Sequence, residues 1–298
     1  EKCDFVMANP PFNVKKIDKN KQYVKDDLRL PFGLPKSDNG NYMWIQYFYS
    51  YMNEKGRAGF VMASSATDAG HSEGLIRKKL IETGHVDCVV SVSNNFFYTR
   101  SLPCHLWFLD KGKRKENLDK ILMIDARNVF RKVTTTINDF SFGQLLNLSA
   151  IMKMYRGINN AYKDTILEHR KFSFDLLEKV NEHYKTLVDG LNQSIKELII
   201  DLPINSDIKI TLPNEYTEAD NILKQFSEPI EKANEFINKW QMEISKLEQE
   251  IKEKKIDEKI GKKQLQAIRN KINMLNRPIN VFSEETKEYI ADIKQQLK

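Results

Sequence analysis

Apolar positions fall into two regimes along the chain. Up to residue 126 they gather in short runs broken by glycine, proline or polar residues: Phe5–Ala8, Gly56–Ala63, Val86–Val92, Leu102–Leu109 and Ile121–Ala126. Such runs read as sheet strands. Between them the spacing turns helical. Trp44, Tyr47, Phe48, Tyr51 and Met52 form one stripe after Asn41, predicting a helix whose stripe packs into the core. Ser72 reads as the N-cap of a helix through Leu75–Ile81, with Glu73 in its first turn and Gly84 as its C′ residue. Alternating strand and helix predict an α/β fold with a doubly wound sheet. The Phe5–Ala8 run reads as a buried parallel strand inside it.

Residues 13–40 break this rhythm with a lysine-rich polar stretch interrupted by Pro31, Gly33, Pro35 and Gly40. It predicts a long loop, either solvated or in contact with nucleic-acid phosphates. From residue 141 the pattern is helical throughout. Leu145, Leu148, Ile151, Met152 and Tyr155 share one stripe, and Leu176, Leu177, Val180, Tyr184, Leu187 and Leu191 share the inward face of a helix over 165–200. Residues 201–215, with Pro203 and Pro213, read as a linker. Ile230, Ala233, Ile237, Trp240, Ile244, Leu247 and Ile251 then alternate steps of three and four, the signature of a coiled-coil seam. The seam resumes at Leu265, Ile268, Ile272 and Leu275. This predicts an antiparallel helical hairpin over 228–276, turning near Ile256–Gly261 and ending at Pro278, with Ser283 capping a short last helix. Either the hairpin closes on itself or part of its stripe serves another protein. The expected organisation is 1–140 as one part and 141–298 as an all-α second part.

Composition narrows the class. A chain of 298 residues with 41% hydrophobic residues supports one large domain or two, while 30% charged residues and a mean hydropathy of −0.54 imply much solvated helix. No stretch has the apolar length of a membrane span, and no signal peptide is visible. Cys3, Cys88 and Cys104 lie far apart, each in an apolar run, so they read as small buried hydrophobes, not as a disulfide frame or zinc site. His71, His85, His105, His169 and His183 show no metal-ligand spacing. A cytoplasmic protein without metal is expected. The net charge of +6 permits a nucleic-acid partner without requiring one.

The candidate chemistry sits at Asn9-Pro10-Pro11-Phe12, where the first apolar run ends. Two prolines stiffen the turn and present the Asn9 side chain, the Pro10 carbonyl and the Phe12 ring at the carboxyl edge of a sheet, where α/β folds bind ligands. An ordinary proline turn would contain the same residues. The four resemble the catalytic motif of the amino-methyltransferases, which methylate exocyclic amines with S-adenosylmethionine. That resemblance implies that Asn9 and Pro10 accept the two hydrogens of an adenine amine, and that Phe12 stacks on the extruded base.

Six further stretches make the resemblance specific. Asn41–Gln46, Gly56–Val61, Ile76–Leu80, Asn95–Thr99, Leu102–Cys104 and Ile124–Arg127 occur in the order seen in methylation (M) subunits of type I restriction-modification systems. With Asn9–Phe12 they span about the first 160 residues. The resemblance implies a Rossmann-like methyltransferase sheet, here partial, followed by a helical region that packs on a specificity subunit. It implies transfer of methyl from S-adenosylmethionine to adenine N6 in DNA, in a complex that includes a restriction subunit where one exists. Phe97 becomes a candidate second wall of the base pocket, or else a buried turn aromatic. Asn41 is a weaker candidate for that pocket, since helix capping explains it equally well. The family's Gly-rich loop and acidic cofactor residue are not found, which leaves Asn9 only the edge of a cofactor site. The chain does not begin with Met, and an interior-type strand follows at once. It is therefore expected to be the carboxyl-terminal part of a longer protein, inactive by itself. Two rivals are a glutamine methyltransferase acting on protein, which shares the Asn-Pro-Pro-aromatic motif, and a non-catalytic assembly fragment.

Overall fold

In a computed structural model the apolar runs form one sheet of order β1-β2-β4-β3-β5, built from β1 (Cys3–Ala8), β2 (Met52–Ala63), β3 (Val86–Val92), β4 (Cys104–Asp110) and β5 (Leu122–Ala126). The structure describes residues 1–18, 20–38, 40–98 and 101–297. Two long connections carry helices: α1 (Gln22–Lys25) and α2 (Asn41–Tyr51) join β1 to β2, and α3 (Ser65–Asp68) and α4 (His71–Glu82) join β2 to β3. β1 runs parallel to β2, and β3 parallel to β5. The strand–helix alternation stops at β3. The next connection, 93–103, has no helix among its described residues, and β4 turns back to pair antiparallel with both β3 and β2.

β1 corrects one expectation. It is an edge strand, with Phe5 77% and Met7 94% exposed. Successive side chains point to opposite faces. Val6 and Ala8 pack on the core, while Cys3, Phe5 and Met7 emerge where no described helix covers them. Cys3 is accordingly exposed, whereas Cys88 and Cys104 are buried as expected. The α2 stripe is corrected in part: Phe48 and Met52 are buried as expected, while Trp44, Tyr47 and Tyr51 are not. The buried face of that helix is Asn41, Tyr42, Ile45, Gln46 and Phe48. Trp44, Tyr47 and Tyr51 instead flank β1 and line an open groove of about 530 Å³ along its edge with Phe5, Met7 and Arg29. Ser72 does not cap α4: Gly70 holds the N-cap position, and the Ser72 hydroxyl donates to Glu73. Gly84 does follow α4 with φ +75°, a conformation glycine adopts without strain.

The second face of the sheet is covered by α5 (Phe142–Tyr155). Its Leu148 and Met152 pack with Cys88, Val90 and Val92. A capping box starts this helix: Ser141 Oγ accepts from the Gln144 amide, and the Gln144 side chain accepts from the Ser141 amide at 2.9 Å. Before it, β6 (Arg131–Lys132) and β7 (Asn138–Asp139) make a small antiparallel hairpin. The chain divides into two compact units, Glu1–Tyr162 and Lys163–Lys298. The compositional shift near 141 thus falls at the start of α5, inside the first unit.

The second unit contains α6 (Ala161–Leu198, which crosses the boundary), α7 (Tyr216–Lys252) and α8 (Glu258–Gln296). Leu176, Leu177, Val180, Tyr184, Leu187 and Leu191 are all buried, as their spacing predicts. The stretch read as a linker is extended backbone packed on the helices, with Leu202 buried and Ile204, Ile208 and Ile210 half-buried against the same core. α7 and α8 form the antiparallel hairpin, turning at 253–257, slightly earlier than expected. The seam closes largely within it: Leu265, Ile268, Ile272 and Leu275 are buried, and Trp240, Ile244 and Leu247 half-buried against that core.

Pro278 does not end the hairpin. α8 runs through it as one helix of 39 residues. A proline inside a helix removes one hydrogen bond, crowds the carbonyl four residues before it and costs about 3 kcal/mol. Here α6 compensates. The Ser194 hydroxyl donates to the orphaned Met274 carbonyl at 2.9 Å. Gly190 gives the ring room, since a Cβ there would lie 2.9 Å from Pro278 Cβ.

Candidate active site

The Asn9–Phe12 turn leaves the carboxyl end of β1, and its rigidity comes from the helices around it. Asn13, directly after the motif, has φ +54°, a left-handed conformation that asparagine tolerates better than most residues. Its amide donates to Asn41 Oδ1 at 2.8 Å, and Asn41 Nδ2 donates back to Asn13 Oδ1 at 2.8 Å. Asn41 is fully buried at the first turn of α2. Gly40 holds the N-cap position, and the Asn41 side chain faces inward and holds the turn. Gly40 sits where a Cβ would meet Val14 and Ile17 at 3.2 Å, and its amide donates to the Val14 carbonyl.

The long loop is fastened by two more buried polar side chains. Gln46 accepts from the Phe32 amide and donates to the Gly33 carbonyl, both at 2.9 Å. Glu73 accepts from the Lys36 amide at 2.9 Å. Each side chain satisfies backbone groups that burial would otherwise leave unpaired. The described part of 13–40 is therefore an ordered loop with Val24, Leu30 and Pro35 buried, and Lys19 and Asn39 lie outside the described residues. In the loop between α1 and α2, the Arg29 guanidinium bonds both oxygens of Asp27 and holds its carboxyl down at about 2. The same guanidinium stacks over Tyr47 at 4.5 Å.

Phe97 comes to the same place from the β3–β4 loop. The ring centroids of Phe12 and Phe97 are 6.0 Å apart, with an interplanar angle of 77°. Both rings are half-buried. They make a right-angled corner, not a slot: a planar base can lie on one ring and meet the edge of the other. The loop is held from behind by Asn138, whose amide donates to the Asn95 carbonyl at 2.8 Å and whose side chain donates to the Asn94 carbonyl at 3.1 Å. Phe96 packs inward on Phe140 at 4.7 Å. Thr99, last residue of that motif, lies outside the described residues.

Around the corner, Asn9 is exposed, Pro10 buried and Pro11 exposed. Neither the Asn9 side chain nor the Pro10 carbonyl accepts a hydrogen bond from any described residue. Two adjacent acceptors, one exposed and one buried, thus stand without a described partner in the turn that carries Phe12. His105 on β4, within 3.1 Å of Thr67 Oγ1, has its pKa lowered by burial. Among the described residues no cluster of His, Cys, Asp or Glu could hold a metal. The groove beside β1 offers no Gly-rich loop, and the nearby carboxylate, Asp27, is committed to Arg29. These residues do not by themselves build a nucleoside-cofactor site.

Residues 1–185 match the N-6 DNA Methylase family. The chain belongs to that family. A relative 41% identical over 140 residues is the methylase subunit of the type I restriction enzyme MjaIX of Methanocaldococcus jannaschii, matched over 45% of this chain and 25% of the relative. The MjaVIII methylase subunit of the same organism is 26% identical over 234 residues, covering 77% of this chain and 39% of its own length. A solved type I methyltransferase subunit from Streptococcus thermophilus is 25% identical, with a TM-score of 0.47 over 52% of this chain and 32% of that one. The chain spans about a quarter to two-fifths of the length of these curated relatives. No described helix is long and apolar enough to cross a membrane.

In this N-6 DNA methylase chain the structure brings Phe97 against Phe12, in the turn that also holds Asn9 and Pro10. It places Asn41 behind them as a support. Gln46, Glu73 and Asn138 escape a reading of the sequence, because a polar residue on a helix or in a short hairpin looks solvated until its loop partner is known. Asn41→Ala is expected to cost about 2 kcal/mol, one typical increment for each lost hydrogen bond. Thermal melting measures the loss, and hydrogen exchange over residues 13–18 should rise with it. An unchanged melting temperature would show that the turn stands without the asparagine pair.

Proposed function

We propose that the chain is the carboxyl-terminal part of the methylation subunit of a type I restriction-modification system, transferring a methyl group from S-adenosylmethionine to N6 of a flipped adenine in DNA. The observation that carries this reading is the pair of acceptors without a described partner, Asn9 Oδ1 and the Pro10 carbonyl, in the turn whose Phe12 meets Phe97 in a right-angled corner. An exocyclic adenine amine is a poor nucleophile because its lone pair is delocalised into the ring. Two acceptors on its two hydrogens favour a pyramidal nitrogen whose lone pair is free to attack. Stacking on Phe12, with the Phe97 edge as a stop, fixes the base in the attacking orientation, and positioning of this kind supplies much of a transfer reaction's acceleration. A base must leave the duplex to reach such a corner.

The methyl donor would meet this chain only at Asn9, since its main binding motif is not among these residues. The open edge of β1 is where further strands would join the sheet. On this reading residues 1–140 are the carboxyl-terminal half of the catalytic domain. Residues 141–298 are a helical assembly region, with the α7–α8 hairpin directed to the specificity subunit. DNA, that subunit and, in complete systems, a restriction subunit are the partners, in the cytoplasm.

Phe12→Ala tests the pocket. In the complete assembly it should weaken binding to the extruded base by roughly 1–3 kcal/mol, the usual worth of base–aromatic stacking. Fluorescence of 2-aminopurine at the target position reports the flipped base. Equal signal and affinity in mutant and wild type would reduce Phe12 to a packing residue. Methylation of a glutamine-bearing protein in place of DNA would favour the glutamine methyltransferase instead.

A further inference from the structure

The β6–β7 hairpin is anchored at its base by Asn138, but its tip is exposed. Six consecutive residues, Arg131 to Thr136, are exposed, yet the hairpin is well formed. The Val133 amide bonds the Ile137 carbonyl at 2.9 Å, and the Thr136 amide bonds Thr134 Oγ1 at 3.2 Å. Its returning strand carries Asn138, the buried residue that holds the carbonyls of Asn94 and Asn95. The hairpin and the Phe97 loop are therefore one connected piece of backbone at the carboxyl edge of the sheet. Arg127 and Arg131 are engaged by Asp125 at 2.7 Å and Asp139 at 2.8 Å. Lys132 is exposed and has no carboxylate partner among the described residues. Thr135, three residues on, is exposed as well, and no described residue engages its hydroxyl in a hydrogen bond.

We infer that this hairpin grips the sugar–phosphate backbone of the strand that carries the target base, with Lys132 on a phosphate and Thr135 as a neutral donor beside it. The inference rests on the proposed DNA methyltransferase function and goes beyond it by naming the contact. Lysine ammonium and threonine hydroxyl are standard phosphate partners, and such contacts set position without reading sequence. An exposed cation tied through Asn138 to the wall of the base pocket serves that purpose: the backbone is held at a fixed offset from Phe97. A merely solvated hairpin would need neither the ordered tip nor the link through Asn138.

The test compares Lys132→Ala with Lys55→Ala in the complete assembly. Lys55 is exposed on β2 near the opposite, amino-terminal edge of the sheet. DNA affinity is measured across a salt series, and methyl incorporation at saturating DNA. Loss of one phosphate contact should flatten the log–log salt dependence by about 0.9 and weaken binding by about eightfold at 0.1 M salt. The rate at saturating DNA should be retained, and Lys55→Ala should show no change in slope. Adding Thr135→Val to Lys132→Ala should weaken binding further without altering the slope again. A salt slope in Lys132→Ala equal to wild type overturns the inference while leaving the methyltransferase reading in place. A wild-type assembly that binds DNA with the expected slope but never methylates it overturns that reading alone. Wild type without DNA binding overturns both.

Discussion

Asn9→Ala, assayed in the complete assembly with cognate DNA, is expected to lower methyl incorporation by about 10²–10³-fold, as loss of a preorganised transition-state acceptor does. The expectation follows from where Asn9 stands. Asn9 is exposed, its side chain bonds no described residue, and it follows the end of β1 next to a backbone acceptor that also has no described partner. A residue with no structural partners costs little to remove, within about 0.5 kcal/mol of stability. The predicted signature is therefore a split: near-normal melting and near-normal DNA affinity, with the rate lost. Asn9→Asp adds a useful contrast. It keeps an acceptor but brings a charge close to the donor, and it should restore part of the rate. Wild-type turnover in the alanine variant would remove Asn9 from the chemistry. A variant that melts early would mean that the turn depends on it structurally.

Tyr184→Ala is expected to have the largest effect on stability. Tyr184 is fully buried at the centre of the helical unit. Its ring meets Phe226 on α7 at 5.1 Å and Phe282 on α8 at 6.3 Å, so one side chain joins all three long helices. Its hydroxyl donates to the Asn205 carbonyl in the extended segment. Truncating a large buried aromatic costs about 3–5 kcal/mol. Removing only the hydroxyl, in Tyr184→Phe, should cost about 1 kcal/mol, with the Asn205 carbonyl free to find water. Urea unfolding followed by far-ultraviolet circular dichroism measures both. If the alanine variant lost less than the phenylalanine variant, the three-helix junction would not be centred on this ring.

Much of the architecture was legible because it is local. β2, β3, β4 and β5, and the helices α2, α4, α5, α6 and α7, follow from runs and periods within a few residues of one another. The Asn9–Phe12 turn was legible for the same reason: its stiffness is written in two adjacent prolines. What escaped depends on distant partners. The exposure of β1 is set by which strand and which helix lie beside it, and an apolar run says nothing of either. The inward face of α2 was misassigned because Asn41 and Gln46 are polar, yet they point inside to bond Asn13, Phe32 and Gly33. Pro278 reads as a helix end in any local view, since its compensation comes from Ser194, whose acceptor Met274 lies 80 residues along the chain. The Phe12–Phe97 corner was anticipated only through family resemblance. Nothing near either residue points to the other.

The seat of Pro278 also sets a scale for the hairpin. Long helices with repeating apolar seams are prone to slide against one another, because a shift by one repeat restores most of the packing. Here a slide of α8 along α6 would carry the proline ring off Gly190 and onto a side chain, and would strand the Met274 carbonyl away from Ser194. Both penalties arise at once and neither recurs one repeat later. The pair therefore works as a vernier mark: it singles out one register among several that the hydrophobic seam would accept. The distance by which the hairpin tip at 253–257 stands beyond α6 is fixed by that mark, and any partner that reads the tip inherits a ruler accurate to a single residue.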